Sequence, residues 1–192
     1  MTYPTKITCF AILCICFTSC SPQTIDPPKG LKWGMSADSA YVHLNEYRGH
    51  WEINGNVRGS ILSLGEKARV VLFFNDCDNL ESVLYDFKLE ETNDHACMSR
   101  AWRLHDELME KLIDKYGKPD IDTVRFLNKT SLIHMNPPLR SEWNDTMSNL
   151  VSLAIEGSHD STYEYTVSLF YLSKFYSTYC ITGGDKVDDD DF

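Results

Sequence analysis

Residues 98–119 read MSRAWRLHDELMEKLIDKYGKP. Met98, Ala101, Trp102, His105, Leu108, Met109, Leu112, Ile113 and Tyr116 recur at helical spacing and form one broad apolar stripe. Arg103, Glu107, Glu110, Lys111 and Asp114 fall mostly off that stripe. Gly117 stands where helices commonly end in the left-handed conformation, and Pro119 prevents continuation. Such a helix must bury its stripe against a second layer, and the flanking sequence supplies strands.

Upstream, Ile61, Leu62 and Leu64 precede a turn at Gly65-Glu66-Lys67, and Val70 to Phe74 form a heavily apolar run. Asn75-Asp76-Cys77-Asp78-Asn79 reads as a turn, after which Val83, Tyr85, Phe87 and Leu89 alternate. A first, shorter helix opens at the N-cap Ser36 and runs to about residue 47 on Ala40, Leu44 and Tyr47. Downstream, strands are expected at Val124 to Leu127, at Leu150 to Ile155 and along Tyr163, Tyr165, Val167, Leu169 and Tyr171. A loop around Pro137-Pro138, with Trp143 beyond it, separates the first two. The order predicts an α+β domain: a single antiparallel sheet of about six to eight strands, with two helices packed on one face. It suggests two similar helix-plus-strands halves, although no residue-level repeat is visible.

The amino terminus reads as an export signal. Met1 to Lys6 are polar with one positive charge, and Ile7 to Phe17 are an apolar run too short to span a bilayer. Small residues and a cysteine follow, in Phe17-Thr18-Ser19-Cys20. This stretch resembles the lipobox of bacterial envelope lipoproteins, with Phe17 where Leu is commonest. The resemblance implies cleavage before Cys20 and attachment of acyl chains, palmitate among them, to that cysteine. Cys9, Cys14 and Cys16 would leave with the signal as apolar filler. The expected organisation is signal peptide 1–19, lipidated Cys20 and flexible tether over 20–30, globular domain 31–182, and a disordered acidic tail 183–192.

The whole chain carries a net charge of −10, and removal of 1–19 takes away one Lys and no acid. So acidic a domain is a poor match for nucleic acid. Its expected partners are the lipid bilayer, through acylated Cys20, and an unidentified envelope protein. No acidic run directly follows Cys20, which points to the outer membrane with the domain facing the periplasm.

Export places Cys77, Cys97 and Cys180 where disulfides persist. Three thiols allow one bond and three pairings. Cys77–Cys97, at the edges of a strand pair and a helix start, is the favoured pair, and closing that loop would stabilise by roughly 3 kcal/mol. Three buried, unpaired thiols are the alternative.

Trp33-Gly34-Met35-Ser36, opening the first helix, is similar to the helix start of many small envelope lipoproteins. Among them are the small lipoprotein of the outer-membrane β-barrel assembly machine and domains likened to β-lactamase inhibitor protein. Lys115-Tyr116-Gly117-Lys118-Pro119 is similar to a segment of uncharacterised lipoproteins of like layout. The likeness implies binding or scaffolding without catalysis. Arg48-Gly49-His50 stands where the assembly lipoprotein has a Gly-x-Pro turn, and departs from it. A second likeness is to an O-glycosylation motif of exported proteins in one phylum of Gram-negative bacteria. It marks Ser39, Thr123, Thr146 and Ser161, each after an Asp; such Asp-Ser and Asp-Thr pairs also mark caps and turns.

Catalytic constellations are not legible. Ser158-His159-Asp160 are adjacent, whereas a triad assembles from distant segments, so a polar turn explains them. His43, His50, His95, His105, His134 and His159 are scattered, with no metal-ligand spacing. Asp76, Asp78 and Asn79 lack the glycine and closing Glu of a calcium loop. Glu81, Glu90, Glu91, Asp106 and Glu107 could pair as carboxylates only at a separation the sequence does not give. No cofactor or metal is expected. The expected function is a membrane-anchored binding or scaffolding module. The alternatives are an envelope hydrolase or inhibitor with a site assembled from separated residues, or a small-ligand carrier with an apolar cavity.

Overall fold

The computed structural model of the protein describes residues 24–45, 50–54, 56–91, 93–123, 139–157 and 164–179. The order of elements is α1 (Ala37–Asn45), β1 (His50–Asn54), β2 (Asn56–Ser63), β3 (Glu66–Phe74) and β4 (Leu80–Glu90). Then follow α2 (Asp94–Tyr116), β5 (Ile121–Asp122), β6 (Leu139–Asn144), β7 (Asn149–Gly157), β8 (Glu164–Ser173) and α3 (Lys174–Thr178).

All eight strands form one antiparallel sheet in the order β1-β2-β3-β4-β8-β7-β6-β5. The α+β architecture is the expected one. Each half is a helix followed by a four-stranded meander, and the last strands of the two meanders, β4 and β8, pair from Ser82↔Leu172 to Glu90↔Glu164. The helices are not placed equivalently: α1 packs on β1 and β2, whereas α2 packs on β8, β7 and β4.

Strand alternation divides the sheet into two faces. The covered face carries Ala68, Val70, Leu72, Val83, Phe87, Leu89, Val151, Leu153, Ile155 and Val167, all 2 % exposed or less. These close on Ala40 and Leu44 of α1 and Leu104, Leu108 and Leu112 of α2. Each such side chain stabilises by roughly 1.5–3 kcal/mol relative to exposure.

The ends of α2 follow local rules. Asn93 Oδ1 accepts from the Ala96 amide at 3.2 Å, capping a helix that begins four residues before Met98. Gly117 ends it at the position the sequence indicated, with φ 78° and ψ −162°, a glycine conformation other than the left-handed helical one. The buried face is rotated from the sequence reading, since Leu104 is 2 % exposed and Ile113 41 %.

Other expectations need correction. The residues around Val124 to Leu127 and Pro137-Pro138 lie outside the described residues, and the short β5 precedes them. β1, β6 and α3 were not legible in the sequence. Part of the expected tether is docked: Ile25 is 2 % exposed, its N–H donates to Asp145 Oδ2 at 2.9 Å, and its carbonyl accepts Trp33 Nε1 at 2.8 Å. The pairing Cys77–Cys97 does not form. Cys97 is a free thiol with no exposure, whose Sγ donates to the Leu89 carbonyl at 3.2 Å. Cys77 is disulfide-bonded, to a partner outside the described residues. No described helix is long and apolar enough to cross a membrane.

Candidate binding face

The second face of the sheet is left open by α1 and α2, which pack on the first. One row across it runs Arg58, Val71, Leu84, Phe170, Ser152 and Glu142, from β2 to β6. The next row, toward α3, runs Phe73, Ser82, Leu172, Leu150 and Asn144. Val71, Phe73, Leu84, Phe170, Leu172 and Leu150 therefore make an apolar band across the middle strands. Val71 and Ser82 are buried by their neighbours, and the rest of the band is half-buried. Arg58, Arg69, Val71, Phe73 and Leu84 surround a shallow depression of 310 Å³.

Ion pairs border the band. Arg69 Nη2 lies 2.6 Å from Asp86 Oδ2, and Asp86 Oδ1 accepts from Ser168 Oγ at 2.7 Å. Arg140 Nε lies 2.9 Å from Glu142 Oε1. Lys88 Nζ stands 2.9 Å from Glu164 and 3.2 Å from Glu90, and these contacts, Glu164 first, raise its pKa. An apolar centre within a polar, hydrogen-bonded rim is the anatomy of a protein contact surface. Mid-strand positions also hold such a band rigid.

A second concavity, of 520 Å³, follows the outer side of α2 past His95, Met98, Trp102, Arg103 and Asp106. Glu66, at the start of β3, is 5 % exposed and receives Arg100 through Nε and Nη2, while Arg100 Nη1 reaches Glu91 at 2.7 Å. The hydrogen bonds from Arg100 hold the Glu66 carboxyl below its usual range, against the opposing effect of burial. Burial raises the Cys97 thiol, which disfavours the reactive thiolate. Burial, with Asp94 beside the hydroxyl, pushes Tyr165 up to about 12.

Among the described residues singled out by sequence, His95, Asp106 and Glu107 line the concavity along α2, while the others sit apart from it. His105 is 1 % exposed, edge-on to Trp102, with Nδ1 3.5 Å from Asp106 Oδ1. His43 Nε2 lies 2.9 Å from the Lys29 carbonyl on another surface. Ser158, His159, Asp160, His134 and Ser161 lie outside the described residues, as does the acylation position Cys20. Asn75 organises the Asp76–Asn79 turn: its Oδ1 accepts the amides of Cys77 and Asn79, both at 3.0 Å. Asp78 Oδ1 accepts the Ala37 amide at 3.1 Å, so the turn helps cap α1 alongside Ser36. Among the described residues no three His, Cys, Asp or Glu side chains are grouped to hold a metal.

Of the glycosylation candidates, Ser39 is exposed on α1 and Thr146 is exposed in the β6–β7 turn. The Thr123 hydroxyl donates to the Arg140 carbonyl and accepts its amide, both at 2.9 Å. The open apolar band itself was missed by sequence reading. Its signal was there, in the Phe170 and Leu172 that break the polar alternation of β8.

Compared with known proteins, the chain matches no family model, no curated protein and no solved structure.

Proposed function

We propose that the protein is a lipid-anchored module of the bacterial envelope that binds or scaffolds a protein partner through the open face of its sheet. The anchor is the acylated Cys20, with the domain on the periplasmic side of the outer membrane. Two or three acyl chains hold a protein durably where one does not, at about 0.8 kcal/mol per buried methylene. The observation that carries the binding role is the band of Val71, Phe73, Leu84, Phe170, Leu172 and Leu150, set in a rim of ion pairs. Apolar surface kept on rigid strands and bordered by charge favours association with another surface. The envelope-lipoprotein likeness of Trp33-Gly34-Met35-Ser36 agrees with a non-catalytic role.

The test is in-cell cross-linking of the lipidated protein, followed by capture from detergent-solubilised envelope, with Cys20→Ala and Phe170→Glu as variants. One stoichiometric protein captured by the parent and lost with Phe170→Glu, whose thermal melt stays cooperative, is the expected result. Capture unaffected by a folded Phe170→Glu protein would remove the open face from the reading. A Cys20→Ala protein that remains with membranes and is cut at the same bond would remove the anchor.

A further inference from the structure

We infer that the end of the domain formed by the β6–β7 turn and α3 rests against the bilayer that holds Cys20. The inference depends on the anchor reading above and adds an orientation to it.

The first observation is where the chain enters the fold. Ile25 is fixed to Asp145, and the Asp145 side chain is itself held by three further bonds. Its Oδ1 accepts the amides of Met147 at 2.9 Å and Asn149 at 2.8 Å, and its Oδ2 accepts Asn149 Nδ2 at 2.9 Å. Five residue steps separate Cys20 from Ile25, a reach of at most about 18 Å. β4 has 11 residues, and at about 3.4 Å per residue it is roughly twice that long. The β6–β7 turn is thus tied close to the acyl chains, whereas the β2–β3 turn lies at the opposite end of the strands.

The second observation is what that end exposes. Asn149 and Ser173 are register partners at the last rung of β7 and β8. Met147 stands two residues before that rung and Phe175 two residues after it, so both belong to the same end of the sheet. Met147 is 62 % exposed, Phe175 46 % and Tyr179 60 %. The Phe175 and Tyr179 rings lie tilted by 40° with centroids 5.4 Å apart, and exposed Lys174 precedes them in sequence. Two apolar side chains, an amphipathic tyrosine ring and a lysine able to reach upward suit the boundary between headgroups and acyl chains. A net-acidic segment, 185–191, follows in sequence from this end, so the contact is apolar and does not need anionic lipid. In this orientation the strands rise from the membrane and the open face looks sideways, accessible to a neighbour on the same bilayer.

The test uses the full lipidated chain in zwitterionic vesicles, with a benzophenone side chain placed at Met147, at Phe175 or at Leu62. Leu62 is the control: it is apolar and 77 % exposed, near the β2–β3 turn. Mass spectrometry reads lipid adducts at each position and acylation of Cys20. Several-fold more lipid adduct at Met147 and Phe175 than at Leu62, undiminished by high salt, is the expected result. Equal labelling at Leu62, or adducts only to other protein, would overturn the orientation while leaving an acylated Cys20 intact. An unmodified Cys20 would overturn the anchor reading and this inference together. A glycan found on Thr146 would also overturn the orientation, because it would hold Met147 away from the lipid.

Discussion

Glu66 keeps its charge in a place where an isolated carboxylate would lose it. At 5 % exposure it is stabilised by Arg100, with Arg103 Nη2 at 3.6 Å as a weaker neighbour. Removing one partner of such a pair costs more than the pair contributes, because the other charge is left poorly solvated. Glu66→Gln should therefore destabilise by about 1–3 kcal/mol, the lower range applying because Arg100 is partly exposed. The pH sign follows from the depressed pKa. The contribution is complete above the usual carboxylate value of about 4.3 and is lost as pH falls through the lower, folded-state pKa. Urea titrations at neutral and acid pH check both points: the gap between parent and variant should narrow in acid, and a constant gap would contradict the assignment. None of this was visible in sequence, where Glu66 reads as one member of a hairpin turn. Its partners come from α2, 34 positions away.

At the scale of elements, α3 depends on a close approach to the segment that leads into α1. Gly34 has φ 77°, and a Cβ there would lie 2.6 Å from the Tyr176 ring. Its amide donates to the Leu80 carbonyl at 3.1 Å, which fixes the segment to β4. Asn75 Nδ2 also donates to the carbonyls of Tyr176 at 2.8 Å and Tyr179 at 3.3 Å. Gly34→Ala meets both a disfavoured backbone conformation and a ring, so a loss of roughly 1–3 kcal/mol is expected. Amide exchange should accelerate first in α3, and a variant as stable as the parent, with α3 unchanged, would show that Tyr176 can be moved freely. The glycine was conspicuous in sequence as part of Trp33-Gly34-Met35-Ser36. Its reason was not, because the ring it admits belongs to residue 176.

At the scale of the whole molecule, the β4–β8 seam makes two meanders into one sheet. Phe87 is 1 % exposed and opposite Val167 on that seam. Phe87→Ala should cost roughly 3–5 kcal/mol through lost burial and the cavity left behind. Since core residues from both halves share one cluster, unfolding should remain a single transition. Protection of amides in β2 and β7 should fall together. A melt in two steps, with only one half weakened, would mean that the halves fold separately.

The sequence by itself determined the elements whose burial pattern is local. The α2 stripe with its Gly117 stop, the alternation of β4 and β8, and the order of helices and strands all follow from spacing along the chain. It also supplied the class of the fold, because strands of that alternation need one covered face. Elements with weaker patterns escaped it. β1 and β6 are short edge-side strands whose pairing is set by neighbours, and α3 is five residues held by Asn75. Tertiary structure alone decided which thiol is bonded, that Ile25 belongs to the core, and which side of the sheet stays open. Each of these depends on the distance between residues far apart in sequence, which only the packed chain fixes.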